Sequence, residues 1–267
     1  MLVLYWFYIG KNPREIFTDM QQRTFTEEIK YQWNYGGPHI RLIGINLAVF
    51  IFIGTLLVIG RLFFADSGVR MLKFVQDIFT LHGNFSGFLW RPWGIVTSIF
   101  AHFDFFHFLF NMIFLYFASL LFLRYFSERR LMYTYIMGGL LGGVFQILAY
   151  SIIPNLQGQQ TYVVGASGSV MAIFMAVAFY RPHESIRLFG ILPVKLIWLA
   201  LIFILIDFLR LGTNDNVAHF AHLGGIAFGI WSIQNLHSSN NIVTRAERFV
   251  DNWKAQNAAK KNLKVKK

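Results

Sequence analysis

The chain alternates between long apolar runs and short polar gaps. After Arg41 no charged residue occurs until Arg61, enough to cross about 30 Å of hydrocarbon at about 1.5 Å per residue. The same pattern predicts helical spans over about 40–64, 107–126, 131–153, 161–180, 190–211 and 217–236. The third carries Gly138, Gly139, Gly142 and Gly143, small residues whose i, i+4 spacing suits close helix contact. Residues 65–106 are a long connection, rich in aromatics and interrupted by Gly83, Gly87 and Pro92. Its length and mixed polarity predict short helices packed on protein and partly embedded in the membrane. The expected fold is all-α: a polytopic membrane protein of six transmembrane helices, with that loop between helices 1 and 2.

Three regions follow: a cytoplasmic segment 1–39, a membrane domain 40–236 and a basic cytoplasmic tail 237–267. The first mixes apolar positions with Lys11, Arg14, Glu15, Asp19, Arg23, Glu27, Glu28 and Lys30, and breaks at Gly36-Gly37-Pro38. Residues 1–10 are apolar but too short to span, and no basic residue precedes them, so they are read as a buried or interfacial segment rather than a signal peptide.

Composition sharpens this picture. Hydrophobic residues make up 55% of the chain and charged ones 14%, against about a quarter charged in a water-soluble domain. The net charge of +11 would suit nucleic acid if it were spread out, but the cations sit at the ends and in the gaps. The gaps 127–130 and 181–187 are basic, whereas 154–160 and 213–216 contain no lysine or arginine. The basic set therefore belongs in the cytoplasm, with both termini inside and 65–106 outside despite Arg70, Lys73 and Arg91. The expected partner is the lipid bilayer, not nucleic acid. Without cysteine, disulfides and thiolate metal sites are excluded.

This topology places unusual polar groups from three spans at one depth. His107 and Asn111 open the second span, Ser167 lies about six residues into the fourth, and His219 and His222 open the sixth. Intramembrane ionisable residues are costly and point to function. A serine needs a base to become a nucleophile, and a neutral His222 is a suitable one. His107 and Asn111, four residues apart, share a helix face and can both donate to a developing oxyanion. Each residue also has a plainer use. Gly165-Ala166-Ser167-Gly168 can serve helix packing, His222 can bond a carbonyl, and Asn111 can make an interhelical hydrogen bond. His219 can face outer water. Asp207 is read as pairing with Arg210 or facing the outer boundary, with no chemistry assigned.

Three motifs carry a family resemblance. His102-xxxx-His107-xxx-Asn111 opens the second span, Gly165-Ala166-Ser167-Gly168 lies in the fourth, and Ala221-His222-xx-Gly225-xxx-Gly229 lies in the sixth. In order and spacing they resemble the rhomboid intramembrane serine proteases, over about residues 93–236. The resemblance implies hydrolysis of transmembrane protein substrates near the outer boundary by a Ser167–His222 dyad, without cofactor or metal. His107, Asn111 and the Ser167 amide would hold the oxyanion, and His102 would support them. The expected location is a bacterial inner membrane. Two positions depart from the family: Gly94 follows Trp93 where arginine is frequent, and Met171 replaces a tyrosine that often stacks on the histidine. The alternatives are a catalytically silent rhomboid-like protein that binds transmembrane clients, and a metal site or transporter lined by His102, His107, His219 and His222. The latter lacks the HExxH spacing and, by the sequence reading, a neighbouring carboxylate.

Overall fold

The computed structural model describes residues 24–64, 68–159, 161–188, 191–213, 217–236 and 238–265. The interfacial reading of residues 1–10 lies outside the described residues. Helix α1 (Phe25–Tyr35) starts with a capping box between Thr24 and Glu27. Gly37, at φ 80°, and Pro38 in the first turn mark the junction to α2 (Gly37–Phe63). The long connection then folds as α3 (Val69–Phe79), β1 (Leu81–His82), α4 (Phe85–Trp90) and α5 (Gly94–Thr97). The short helices expected there are present and pack on the protein through Val75, Leu81, Ile99 and Ala101. Helices α6 (Phe105–Phe122) and α7 (Glu128–Ile152) follow, and a 3-10 turn (Pro154–Leu156) and β2 (Tyr162–Val163) lead into α8 (Ser167–Tyr180). A hairpin of β3 (Ser185–Leu188) and β4 (Leu192–Lys195) precedes α9 (Leu196–Leu209), α10 (His219–Ser232) and α11 (Ile242–Val265).

The chain is mostly helical, and α2, α6 and α7 are each long and apolar enough to cross a membrane, with α8 and α9 shorter apolar helices. Two helices start later than the hydrophobic pattern predicts. Residues 161–164 are not helical: Tyr162 and Val163 pair with His82 and Leu81. Residues 192–195 pair back on 185–188 before α9 begins. Tyr162, Val163, Ile186 and Val194 favour strand, and hydropathy cannot separate a short strand from the first turn of a helix. Ser167 is consequently the first residue of its helix, not a residue one and a half turns inside it.

Helix α8 is the hub. Gly168 to Ala178 are all buried, and the helix packs against α6, α7, α9 and α10. A helix apolar on every side belongs at the centre of a bundle. The outer surface is apolar as well: Phe63 and Trp90 are each 79% exposed. Such a surface is the inverse of one made for water and suits lipid.

Close backbone approach sets the arrangement of α8 and α10. A Cβ built on Gly225 would overlap the Gly168 carbonyl oxygen and stand 3.0 Å from the Gly168 Cα. The glycine row on α10 therefore has the packing role that its spacing suggests. Gly94 faces a similar constraint: its Cα lies against the Thr80 carbonyl, and a Cβ would stand 3.2 Å from the Leu81 Cα. Arginine, frequent in the family after this tryptophan, has no room there. Trp93 instead donates its indole N–H to the Asp77 carbonyl at 3.2 Å.

Polar ties join the periphery to this bundle. Fully buried Asn46 on α2 donates to the Leu42 carbonyl at 2.8 Å and the Tyr135 hydroxyl of α7 at 3.0 Å. Such bonds join apolar helices where the hydrophobic effect offers little preference between protein and lipid. At the other end, Arg130 donates to Asn241 at 2.7 Å, and the same Asn241 oxygen caps α11 by accepting from the Val243 and Thr244 amides. The tail is thus helical and fastened to α7, which its polar composition did not foretell.

Candidate active site

Local backbone geometry presents the nucleophile candidate. Gly165 has φ 119°, a conformation that side-chain-bearing residues avoid, and its N–H donates to the Ser98 carbonyl at 2.9 Å. A Cβ there would stand 2.8 Å from His107 Cε1, so only glycine lets the imidazole approach. The turn ends in Ser167, the first residue of α8. The first four amides of a helix have no intrahelical acceptor and carry the positive end of its dipole. The Ser167 N–H is one of these.

The motif residues of α6 gather beside this turn. Asp104 caps α6 by accepting from the His107 amide at 2.8 Å. His102 is fully buried, and its Nε2 accepts from the Ala166 N–H at 3.3 Å. Its ring lies edge-on to His107, with centroids 5.1 Å apart, and to Phe108. Asn111, one turn along α6, spends one amide hydrogen on the His107 carbonyl at 2.8 Å. A single such bond leaves the second amide hydrogen of the side chain for another acceptor.

Helix α10 supplies the imidazole. His222 Nε2 lies 2.7 Å from Ser167 Oγ, within hydrogen-bond distance. Gly168, next to Ser167, and Gly225, one turn after His222, make this contact possible because they let α8 and α10 touch there. Gly229 continues the same seam, with a Cβ there standing 3.0 Å from the Ala172 Cα. Met171 is buried in the main core.

Three sequence expectations are corrected by the remaining partners. Asp207 of α9 is 4% exposed, and its Oδ1 accepts from His222 Nδ1 at 2.8 Å and from His219 Nδ1 at 2.7 Å. It is buried among the histidines rather than facing the outer boundary. His219 is buried at 5% exposure rather than turned to outer water. The sequence reading also found no carboxylate beside the histidines, and Asp207 is one. An acid inside an apolar helix was the available signal. In the sequence, Arg210, three residues on, offers a simpler partner for it. Asp207, His219 and His222 place one ligand atom each within 4.8 Å of one another, but these are the atoms already engaged in the two hydrogen bonds.

The rhomboid domain, as a family profile, matches residues 89–238, more than half of the chain. The chain belongs to the rhomboid family. It is also similar to RHOMBOID-like protein 12, mitochondrial, of Arabidopsis thaliana, with 35% identity over 144 residues. That stretch is 50% of this chain and 43% of the plant protein, so the chain spans less than half of the curated relative it matches. Family membership makes this a multi-pass helical membrane protein. The matched region starts in α4 and ends just past α10. It thus contains every residue of the cluster, while α1, α2, α3 and all of α11 lie outside it.

Proposed function

We propose that this rhomboid is an intramembrane serine endopeptidase that hydrolyses peptide bonds of transmembrane proteins. The observation that carries the reading is the 2.7 Å contact between Ser167 Oγ and His222 Nε2, which joins two otherwise distant parts of the chain inside an apolar bundle. In the reaction, Ser167 Oγ attacks the scissile carbonyl carbon while its proton passes to His222 Nε2. The negative charge that develops on the carbonyl oxygen meets the Ser167 N–H and the side chains of His107 and Asn111. The C–N bond then breaks as His222 gives its proton to the leaving amine. Water, deprotonated by the same imidazole, releases the acyl group and restores the serine.

The topology proposed with it has six spans, α2 and α6 to α10, with residues 1–39 and 237–267 in the cytoplasm and the 65–106 connection on the outer side, partly embedded. The asymmetry of lysine and arginine supports this orientation. The cluster then lies toward the outer boundary, where water can reach it. A bacterial inner membrane finds no support in the relative, whose name places it in mitochondria. Only the membrane itself is retained.

Two experiments bear directly on this reading. A serine-reactive fluorophosphonate is expected to label Ser167 in folded protein and not after denaturation, read by mass spectrometry. An unlabelled Ser167 would favour a silent client-binding relative. Asn111→Ala is expected to lower kcat on a fluorogenic single-span substrate by about 10²-fold or less, at or below the low end of the loss for one oxyanion donor. An unchanged rate would remove Asn111 from that role.

A further inference from the structure

A neutral imidazole exists in two tautomers, and only the one protonated at Nδ1 can take a proton from serine at Nε2. Something must choose between them. In this chain the Asp207 Oδ1 meets His222 Nδ1 at 2.8 Å on the far side of the ring from Ser167. The same oxygen meets His219 Nδ1 at 2.7 Å, from a residue one turn earlier on α10. The side chains of Asp207 and His219 are 5% and 6% exposed and that of His222 13%, so water competes little for these bonds.

We propose that Asp207 is a positioning residue for the hydrolysis, completing a Ser167–His222–Asp207 triad in which His219 in turn fixes the carboxylate. The inference rests on the protease reading above and goes beyond the serine–histidine pair that the family resemblance implies. Asp207 comes from α9, a helix that carries none of the three motifs, and reaches the imidazole because α9 and α10 pack together. Its first effect is geometric: accepting from Nδ1–H leaves Nε2 bare and aimed at Ser167 Oγ. Its second is electrostatic: when His222 takes the serine proton it becomes a cation, and the buried carboxylate is already bonded to it. No proton moves onto Asp207 at any step. The proton taken from Ser167 stays on Nε2 until the leaving amine accepts it, so the cycle needs only the peptide and water. His219 acts one bond further out. By donating to the same oxygen it restricts carboxylate rotation and shares the cost of burying the charge.

The test has two parts, both on the full chain reconstituted in lipid vesicles. Asp207→Asn keeps the size of the side chain but removes its charge and allows it to donate to the ring. The expected result is a kcat lower by about 10²–10⁴-fold with KM unchanged, the pattern of an interaction made mainly in the transition state. His219→Gln is expected to lose less than Asp207→Asn while showing the same split. In the unsubstituted protein, 15N NMR of labelled histidine is expected to find neutral His222 protonated at Nδ1. This measurement requires no variant to fold.

A wild-type kcat in Asp207→Asn, or a neutral His222 protonated at Nε2, would overturn the triad. Loss of activity on chelation, with stoichiometric metal in the protein, would also overturn it, because the three side chains would then be ligands. If Ser167 labels with phosphonate and Asp207→Asn keeps full kcat, the Asp207 inference fails alone. If Ser167 does not label, both readings fail.

Discussion

Ser167→Ala is expected to abolish cleavage of a single-span substrate while leaving the amount of protein in the membrane and its melting temperature unchanged. The hydroxyl makes one contact that bears on reaction, the bond to His222 Nε2. Its removal takes away the attacking atom and leaves the imidazole with nothing to deprotonate but water. In serine proteases, residual catalysis without a triad member comes from the oxyanion site and substrate binding alone. Here that remainder is expected to fall below detection in a membrane assay. The fold does not depend on the hydroxyl: Ala166 and Gly165 hold the turn through backbone bonds, and alanine is a good helix former at position 167. The measurement is product appearance on a gel beside a thermal melt of the purified variant. Cleavage at the normal rate would remove Ser167 as nucleophile.

The second large effect is expected from Gly225→Ala, a change of one methyl group at a residue with no part in the reaction itself. That methyl would overlap the Gly168 carbonyl, and backbone cannot rotate away as a side chain tip can. Either α10 shifts away from α8 or the variant does not assemble. Overpacking of this kind costs about 1–3 kcal/mol, occasionally more. The catalytic consequence is larger, because any separation of α8 and α10 lengthens the Ser167–His222 bond that spans the same seam. A lower melting midpoint together with near-complete loss of kcat is expected. Activity retained at the wild-type level would mean that the seam tolerates a wider spacing than its geometry allows.

The sequence made some of this legible and concealed the rest for identifiable reasons. The three long spans were readable because a run from Arg41 to Arg61 without charge has few alternatives. The three motifs were readable because serine, histidine and asparagine are expensive in lipid. The start of α8 was not, since Thr161 to Val164 are apolar whether extended or helical, and their pairing with Leu81 and His82 lies about 80 residues away in sequence. The role of Asp207 was hidden by its neighbour Arg210, three residues along the same helix and a ready explanation for any acid. Only the packing of α9 on α10 brings it to His219 and His222. The α11 helix was hidden for a different reason. Its attachment rests on Asn241 and on Arg129, which bonds Asp251 at 2.7 Å, and such pairings leave no periodic trace.

The two-residue ladder between β1 and β2 has a consequence at a distance. Tyr162 and Val163 are stitched to Leu81 and His82, and Gly165 hangs from Ser98 a few residues further on. The thread entering the serine's helix is thus sewn into the connection between α2 and α6 along its length. Whatever displaces that connection, whether a thinner bilayer or a proteolytic nick, pulls on the knot that holds the serine in register.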